Sequence, residues 1–195
     1  MSLSHLASYP APALQITRAV AALRDGGVIA YPTEAVWGLG CDPFDQRAVQ
    51  RILSLKQRRM GMGLIMIAAD IEQFAPFLSG LAPDLRQQLM ASWPGPQTWL
   101  VPNNRRAPCW VTGDRATLAL RVTAHPVAAA LCRAFGGPLI STSANPHGRQ
   151  PALSRLKVEL YFHNSLDAVV PGSLGGLARP TPIRNLLTGE TVRTG

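Results

Sequence analysis

The sequence predicts an α/β fold in which a buried strand lies between two amphipathic helices. Residues 28–31, Val-Ile-Ala-Tyr, are continuously apolar, which is typical of a strand buried on both faces, and Pro32 must end it because proline cannot donate to a ladder. Apolar residues recur at helical spacing before this strand, over 16–23, and after it, over 48–55. Another strand is predicted at residues 117–122, where two sets of side chains alternate strictly.

Length and charge limit the domain organisation and the partners. A chain of 195 residues can bury a core of its own, and we expect a flexible tail over residues 1–12 and a single domain over 13–195. Lysine and arginine number 19 against 11 acidic residues, so the formal charge is +8 and anionic partners are favoured. Nucleotides and RNA fit that charge equally well.

The cysteines and the hydropathy argue against several other classes of protein. Cys41, Cys109 and Cys132 are far apart and form no C-x-x-C pair, so we expect neither a zinc site nor a disulfide framework, and a reducing cytosol fits. No apolar run approaches the length of a membrane span, and no signal peptide is recognisable. We therefore expect a cytoplasmic protein that does not enter a membrane.

Local patterns predict the remaining elements. The first helix should stop at Gly26-Gly27, and Asp45 lies where a negative charge favours the start of the second helix. His125-Pro126 opens another helix, so His125 is interpreted as a neighbour of the cap and not as a catalytic base. Further strands are expected at 64–69, 98–101, from 139, at 167–170 and at 191–195, with a helix at 154–162 and helical and loop segments over 70–90.

Polar groups follow the central strand at the place where open α/β sheets bind ligands. Thr33 and Glu34 come directly after its end, and ligands gather beyond the carboxyl ends of strands in such sheets. Gly38 and Gly40 allow the backbone to turn or to approach another group closely. A strand followed by an ordinary turn explains the segment equally well.

A cationic cluster follows the second helix. Lys56, Arg58 and Arg59 precede Gly61 and Gly63, where their charges can converge on phosphates. A solvated charged face is the more common explanation of such a run. The chain contains neither G-x-x-x-x-G-K-[ST] nor G-x-G-x-x-G, so no standard nucleotide fingerprint supports the functional interpretation.

The alternating strand carries an arginine among its small and polar residues. Thr117, Ala119 and Arg121 face one way, and a buried arginine costs free energy unless an anion meets it. The small Ala119 leaves room for such a ligand. An edge strand with a solvated arginine is an equally good interpretation.

The segment LISTSANP at residues 139–146 ends a predicted strand in hydroxyls and an amide. If the chain stays extended, Ser141, Ser143 and Asn145 share one face and offer short donors and acceptors to a polar ligand. No Ser-His-Asp arrangement follows from the spacing, so we interpret these residues as binding groups and not as nucleophiles.

Several segments, taken together, carry a family resemblance. They are AYPTEAVWGLGCD, the K-x-R of Lys56 and Arg58, WPGP-x-T, LALRVT, LISTSAN and a closing V-R-x-G, in this order from about Ile16 onward. The series resembles the YrdC/TsaC family of threonylcarbamoyl-AMP synthases. The resemblance implies a single YrdC-like α/β domain with a twisted open mixed sheet, flanking helices and a basic concave face.

The resemblance also implies a reaction. L-threonine, bicarbonate or CO2, and ATP give L-threonylcarbamoyladenylate and pyrophosphate, for threonylcarbamoyladenosine modification of tRNA at position ~37. Threonylcarbamoyl transferase machinery acts downstream. Mg²⁺ is expected to arrive with the nucleotide, since no carboxylate cluster suggests a dedicated metal site.

Roles for individual residues follow from the same resemblance. It places L-threonine against Thr33, Arg121, Ser141 and Thr181, with Arg121 holding the carboxylate. It places ATP against Lys56, Arg58, Thr117, Ser143, Asn145 and Arg193. Lys56 and Arg58 are the expected catalytic groups, because they would stabilise charge on the phosphates and the leaving pyrophosphate.

Several positions depart from the family pattern. Met62 stands in place of a second lysine, and Arg59, in place of a proline, is a candidate to supply the missing cation. Ala124 replaces an aspartate, and Leu177 and Asn185 replace an arginine and an aspartate. These departures are compatible with the same fold. They leave open the hypothesis that the chain is a homologue with a different or lost activity.

Another class of function also stays open. A YrdC-like protein that binds tRNA or double-stranded RNA without catalysis suits the positive charge, although aromatic residues make up only 6% of the chain, which is few for a surface that interleaves aromatics with cations. Glu34, the carboxylate of the central motif, fits a structural acceptor as well as a base.

Overall fold

A computed structural model of the protein describes residues 13–58 and 61–194. The predicted tail over 1–12 and the cation Arg59 lie outside the described residues. The helices are α1 (Ala13–Arg24), α2 (Gln46–Leu55), α3 (Pro83–Ser92), α4 (Cys109–Thr112), α5 (Pro126–Phe135) and α6 (Arg155–Phe162). The strands are β1 (Ile29–Pro32), β2 (Trp37–Gly40), β3 (Ile65–Ala68), β4 (Thr98–Pro102), β5 (Thr117–Val122), β6 (Leu139–Ser143), β7 (Ala168–Val169), β8 (Ile183–Asn185) and β9 (Thr191–Arg193).

The predicted helices form where the apolar spacing and the end signals agree. α2 begins after Asp45, whose Oδ1 accepts hydrogen bonds from two backbone nitrogens of the first turn, at 2.8 and 3.0 Å. α5 begins at Pro126 with His125 as its cap residue, and it ends at Gly136, whose φ of +90° is unfavourable for other residues. None of the helices in the described ranges is long and apolar enough to cross a membrane.

In the described part of the chain the strands form one mixed sheet, in the order β7-β1-β2-β6-β3-β5-β4-β8-β9. This arrangement, with helices on its faces, confirms the predicted α/β class. β5 is hydrogen-bonded on both sides, to parallel β3 and to antiparallel β4, so the interpretation of β5 as an edge strand is wrong. Arg121 therefore lies inside the sheet, where it is 6% exposed.

The central motif is a β-hairpin, and the interpretation as a strand followed by a simple turn is wrong. β1 pairs antiparallel with β2, with Tyr31 opposite Gly38. Glycine disfavours strands, but here it allows a close approach, because a Cβ at Gly40 would lie 2.7 Å from the Tyr31 ring. Thr33 sits in the connecting turn, where its backbone nitrogen and its hydroxyl both donate to the carbonyl of Val36.

Two apolar layers cover opposite faces of the sheet. On one face, α1 and α5 pack on the β7, β1 and β3 side, burying alternate strand residues such as Ile29, Ile67 and Leu139. The other layer includes residues of α2, α3 and α6 and the opposite set of strand residues, such as Ala30 and Met66. The face under α1 and α5 continues beyond those two helices, and this continuation forms the floor of a cavity.

Candidate active site

The main cavity, of about 420 Å³, lies over the half of the sheet face that α1 and α5 leave uncovered. Four residues that are paired across adjacent strands form a row on its floor: Ser141 of β6, Ile65 of β3, Ala119 of β5 and Leu100 of β4. Ser141 and Ala119 in this row are small and leave the space above the sheet open, as predicted for Ala119.

Arg121 is held at the edge of the main cavity by two side chains. Its Nη1 donates to Oγ1 of Thr181 at 2.6 Å, and its Nη2 lies 3.4 Å from Oε2 of Glu34. The side chains of this ion pair are each 8% exposed. Arg121 is therefore oriented before any ligand arrives.

Glu34 is the counter-ion of this arginine. Its Oε1 accepts a hydrogen bond from Oγ1 of Thr123 at 2.5 Å. Burial would raise the pKa of the Glu34 carboxyl, but the charge of Arg121 and the Thr123 hydrogen bond outweigh burial and hold that pKa below its usual range. Glu34 is thus ionised at neutral pH and already hydrogen-bonded, which favours the structural acceptor over the base.

Thr181 joins two arginines of the main cavity. Besides accepting from Arg121, it accepts a hydrogen bond from Nη2 of Arg193 through its backbone carbonyl, at 2.7 Å. Burial and the charges of Arg121 and Arg58 lower the pKa of Arg193, which means that these cations repel one another. A bound anion would relieve that repulsion.

Thr33 and Gly38 form part of the wall of the main cavity. Thr33 is 6% exposed and donates its hydroxyl to the carbonyl of Val36 at 2.6 Å. A Cβ at Gly38 would lie 3.2 Å from Cγ2 of Thr33 and 3.6 Å from Oγ of Ser141. The missing side chain at Gly38 therefore keeps open the space between two predicted threonine contacts.

A second cavity, of about 300 Å³, adjoins the main cavity and shares Arg58, Met62 and Ser143 with it. Lys56, which lines this second cavity, is 6% exposed and donates through Nζ to the backbone carbonyls of Ser143 and Asn145, the latter at 3.0 Å. Burial and the charge of Arg58 lower the pKa of Lys56 to about 8. Lys56 thus fixes the end of β6. This structural role was not predicted, because the sequence predicted only a contact with phosphates.

Arg58 lies at the boundary between the two cavities. Its Nη2 donates to the carbonyl of Gly63 at 3.0 Å. Its Nε is buried and, like Nε of Arg121, makes no hydrogen bond with any residue that the structure describes. Buried donors are almost always paired in proteins, so these two nitrogens are available to acceptor oxygens of a ligand or of an ordered water.

The residues that the resemblance assigns to substrates lie together. Eight of them line the main cavity: Thr33, Arg58, Thr117, Arg121, Ser141, Ser143, Thr181 and Arg193. Lys56 and Asn145 line the second cavity, with Arg58 and Ser143 again. Their individual contacts with substrates stay predictions.

Among the departures from the family pattern that the structure describes, Met62 lies at the site. It is 52% exposed and lines both cavities. Ala124 and Leu177 are exposed and line neither cavity. Asn185 accepts a hydrogen bond through Oδ1 from the backbone nitrogen of Leu187 at 2.9 Å, a turn contact that an aspartate also makes.

Sequence reasoning missed a fourth arginine of the main cavity, Arg115. The signal was present, because continuing the alternation of Thr117, Ala119 and Arg121 two residues upstream reaches Arg115. The strand itself begins only at Thr117, so a pattern read from the strand alone stops short of it.

The described charged side chains that line the main cavity are all positive. Of the described residues that line it, four are arginines and none is aspartate or glutamate. The described ranges also hold no group of three or more His, Cys, Asp or Glu side chains that could bind a metal. The fold and the site therefore define an α/β domain with a positively charged cavity, which suits an anionic ligand such as a phosphate.

Comparison with known proteins identifies the family. The model of the Sua5/YciO/YrdC family, described as "Telomere recombination", matches residues 21–195, and the chain belongs to this family. The threonylcarbamoyl-AMP synthase of Halorhodospira halophila is 58% identical over 179 residues, which are 92% of this chain and 94% of that protein. The threonylcarbamoyl-AMP synthase of Cellvibrio japonicus is 58% identical over 171 residues, 88% of this chain and 90% of that protein.

A solved structure of the same family is similar to this chain in fold. The crystal structure of P. abyssi Sua5 complexed with L-threonine is 28% identical to this chain, with a TM-score of 0.83. The match covers 90% of this chain and 52% of the Sua5 chain. The protein therefore corresponds to about half of that Sua5 and to nearly the whole length of the two bacterial synthases.

Proposed function

We propose that this protein makes L-threonylcarbamoyladenylate and pyrophosphate from L-threonine, bicarbonate or CO2, and ATP. The observation that carries the proposal is the main cavity, where four arginines and several hydroxyls face open space and no described lining residue is acidic. Two relatives that are 58% identical over most of their length are threonylcarbamoyl-AMP synthases, which supports the same reaction here.

L-threonine binds at the end of the main cavity where Arg121 is oriented. The carboxylate pairs with Arg121, whose buried Nε has no partner among the described residues and whose position Glu34 and Thr181 fix. Thr33 and Ser141 flank the amino acid, with the space above Gly38 open to it. The L-threonine complex of P. abyssi Sua5 supports an amino-acid site in this fold.

ATP lies across the boundary between the two cavities. Arg58 contacts its phosphates, and Lys56 holds Ser143 and Asn145 in place while adding positive charge beneath them. Thr117 and Arg193 contact the nucleotide from the main cavity. Mg²⁺ comes bound to the phosphates, because the described lining residues offer neutral oxygens and no carboxylate.

The chemistry needs no covalent bond to the protein. The neutral threonine amine adds to CO2: a nitrogen–carbon bond forms as one carbon–oxygen π bond opens onto oxygen, and a proton passes from the nitrogen to solvent, which gives a carbamate. A carbamate oxygen attacks the α-phosphorus of ATP, and the bond from that phosphorus to the bridging oxygen breaks, so that pyrophosphate leaves with the electron pair. The protein positions both substrates and stabilises the growing charge on the leaving group with Arg58 and its neighbours.

The product places the protein in tRNA modification. L-threonylcarbamoyladenylate supplies the threonylcarbamoyl group to a downstream transferase machinery that acts on tRNA, in the cytoplasm. Direct contact with tRNA or double-stranded RNA is the competing interpretation, and the formal charge of +8 is the observation that favours it.

The experiment that tests the proposal is a reconstituted reaction with the purified protein. Incubation with L-threonine, bicarbonate, Mg²⁺ and ATP is expected to release pyrophosphate and to form the adenylate, which mass spectrometry identifies. Omitting threonine should abolish both products. Absence of both products, together with salt-sensitive retention of tRNA in a gel, would support the RNA-binding alternative and exclude the synthase.

A further inference from the structure

We infer that Arg115 binds the outer phosphates of ATP and the pyrophosphate that leaves, a role that rests on the proposed function. Arg115 lies two residues before β5 and lines the main cavity. Arg115, Thr117, Ala119 and Arg121 follow one another at intervals of two and all line that cavity. Cations thus stand at opposite ends of one row, and the threonine carboxylate takes the Arg121 end.

One nitrogen of the Arg115 guanidinium is hydrogen-bonded, and its two terminal nitrogens are available to a ligand. Its Nε donates to the carbonyl of Met62 at 3.1 Å. No hydrogen bond within the described part of the chain uses its two terminal nitrogens, and no described carboxylate pairs with it. Two parallel donors on an uncompensated cation suit the bidentate binding of a phosphate.

The carbonyl of Met62 links Arg115 to Arg58. Nη2 of Arg58 lies 3.5 Å from that oxygen and 3.0 Å from the carbonyl of Gly63. Two guanidinium groups therefore flank one peptide group at the boundary of the two cavities, and burial together with the charge of Arg115 lowers the pKa of Arg58. A phosphate bound between them would offset this repulsion.

Two glycines allow Arg115 to come so close. A Cβ at Gly63 would lie 3.0 Å from Cδ and 3.2 Å from Nε of Arg115, and a Cβ at Gly113 would lie 2.5 Å from the carbonyl oxygen of Gly61. The segment that leads to Arg115 therefore packs directly on the loop that carries Met62. This packing puts the Arg115 guanidinium beside Met62, the residue that stands where the family pattern has its second lysine.

Calorimetric titrations of the whole protein with AMP, ATP, pyrophosphate and L-threonine test the assignment. Arg115→Ala is expected to weaken ATP and pyrophosphate binding about tenfold or more, because a charge-assisted contact is lost, and to leave AMP and L-threonine binding unchanged. Arg115→Gln, which keeps a polar side chain without the charge, should show the same selective loss. Arg106→Ala removes an equal charge from an exposed residue that lines neither cavity, and it should bind all four ligands as the wild type does.

A rescue experiment sharpens the test. Because Met62 lines both cavities, Met62→Lys in the Arg115→Ala background is expected to restore part of the lost ATP affinity. Tight ATP binding by the wild type and by both Arg115 variants alike would overturn the role of Arg115 and leave the proposed function standing. An equal loss for AMP and ATP would also overturn it, since the contact would then not be with the outer phosphates. A wild-type protein that binds neither ATP nor pyrophosphate would overturn the proposed function and the role of Arg115 together.

Discussion

Along β3 and β6, one face of the sheet changes from core to cavity within two residues. Ile67 and Leu139 are fully buried in the apolar layer under α1 and α5. Their neighbours on the same face, Ile65 and Ser141, line the main cavity. One continuous face therefore has a covered half, which the two helices bury, and an open half, which carries the arginines and hydroxyls.

Arg121 stands at the border of the two halves. It pairs across the sheet with Ile67, a residue of the covered half, and it still lines the main cavity. A buried cation at such a border needs a partner, and Glu34 provides it. The covered half therefore contributes stability, whereas the open half contributes polar and cationic side chains that suit an anionic ligand.

The largest expected effect is a loss of stability from the covered half. Leu139→Ala is expected to lower the free energy of unfolding by about 2–5 kcal/mol, because it leaves a cavity in a fully buried layer. Ser141→Ala, two residues along the same face, should change it by less than ~1 kcal/mol while weakening threonine binding. Urea unfolding of both variants measures the difference, and similar losses in the two would abolish the distinction between the halves.

The next effect concerns catalysis in the open half. Arg58→Ala is expected to slow adenylate formation by roughly 10²–10³, because a preorganised donor to the phosphates is lost. The affinity for L-threonine should stay unchanged, since the arginine predicted to hold its carboxylate is Arg121. Initial rates of pyrophosphate release measure this loss, with Arg106→Ala as the control of equal charge. Wild-type rates in Arg58→Ala would mean that Arg58 does not contact the phosphates of ATP.

A smaller effect follows from the pH dependence of Lys56. Its pKa is lowered from 10.5 to about 8 by burial, so the amine loses its charge as the pH rises through about 8. ATP affinity should therefore fall above that pH, by about tenfold if one charged contact is lost. The stability contribution has the opposite sign, because the unfolded chain keeps the proton up to pH 10.5 and the cost of burying the charge disappears between pH 8 and 10.5.

Lys56→Met tests both the expected fall in ATP affinity and the expected rise in stability with pH. ATP titrations and thermal unfolding across that pH range should be flatter in the variant than in the wild type. Identical profiles in the two proteins would show that Lys56 keeps its proton throughout.

The smallest expected effect comes from filling the wall of the main cavity. Gly38→Ala adds a methyl group 3.2 Å from Cγ2 of Thr33. We expect threonine affinity to fall only a few-fold, roughly 1 kcal/mol or less, because the neighbouring side chain can shift slightly. Serine should be less affected than threonine, since it lacks the methyl group, and a competition titration compares the two. An increase in threonine affinity would place the amino acid elsewhere.

Much of the fold can be predicted from local sequence patterns, and the strands that these patterns do not predict have physical reasons. The apolar run of β1 and the alternation of β5 predict their strands because burial on two faces or on one dictates those patterns. β2 was missed because its glycines disfavour a strand in isolation, while Gly40 is needed for contact with the Tyr31 ring. β8 was missed because its three residues are a strand only through parallel pairing with β4, far away in sequence.

The site was predictable to a similar degree. The hydroxyls of Ser141 and Ser143 and the arginine at 121 follow from strand patterns and from the family resemblance, and the structure brings them to one cavity. The contacts of Lys56 with the end of β6 depend on a tertiary approach that no local pattern records. Arg115 continues the alternation of β5 two residues before the strand begins, so the strand alone does not reveal it, and its approach to the loop of Met62 depends on two glycines.

Calorimetry with L-threonine and with ATP on variants of Arg121 and Arg58 tests most directly where the two substrates bind. Arg121→Ala is expected to lose threonine binding and largely keep ATP binding, and Arg58→Ala to do the reverse. Because Arg121→Ala leaves the Glu34 carboxylate buried without its partner, the double variant Arg121→Gln with Glu34→Gln serves as a second test. Unchanged threonine affinity in folded Arg121 variants would contradict the claim that threonine binds at the border of the two halves.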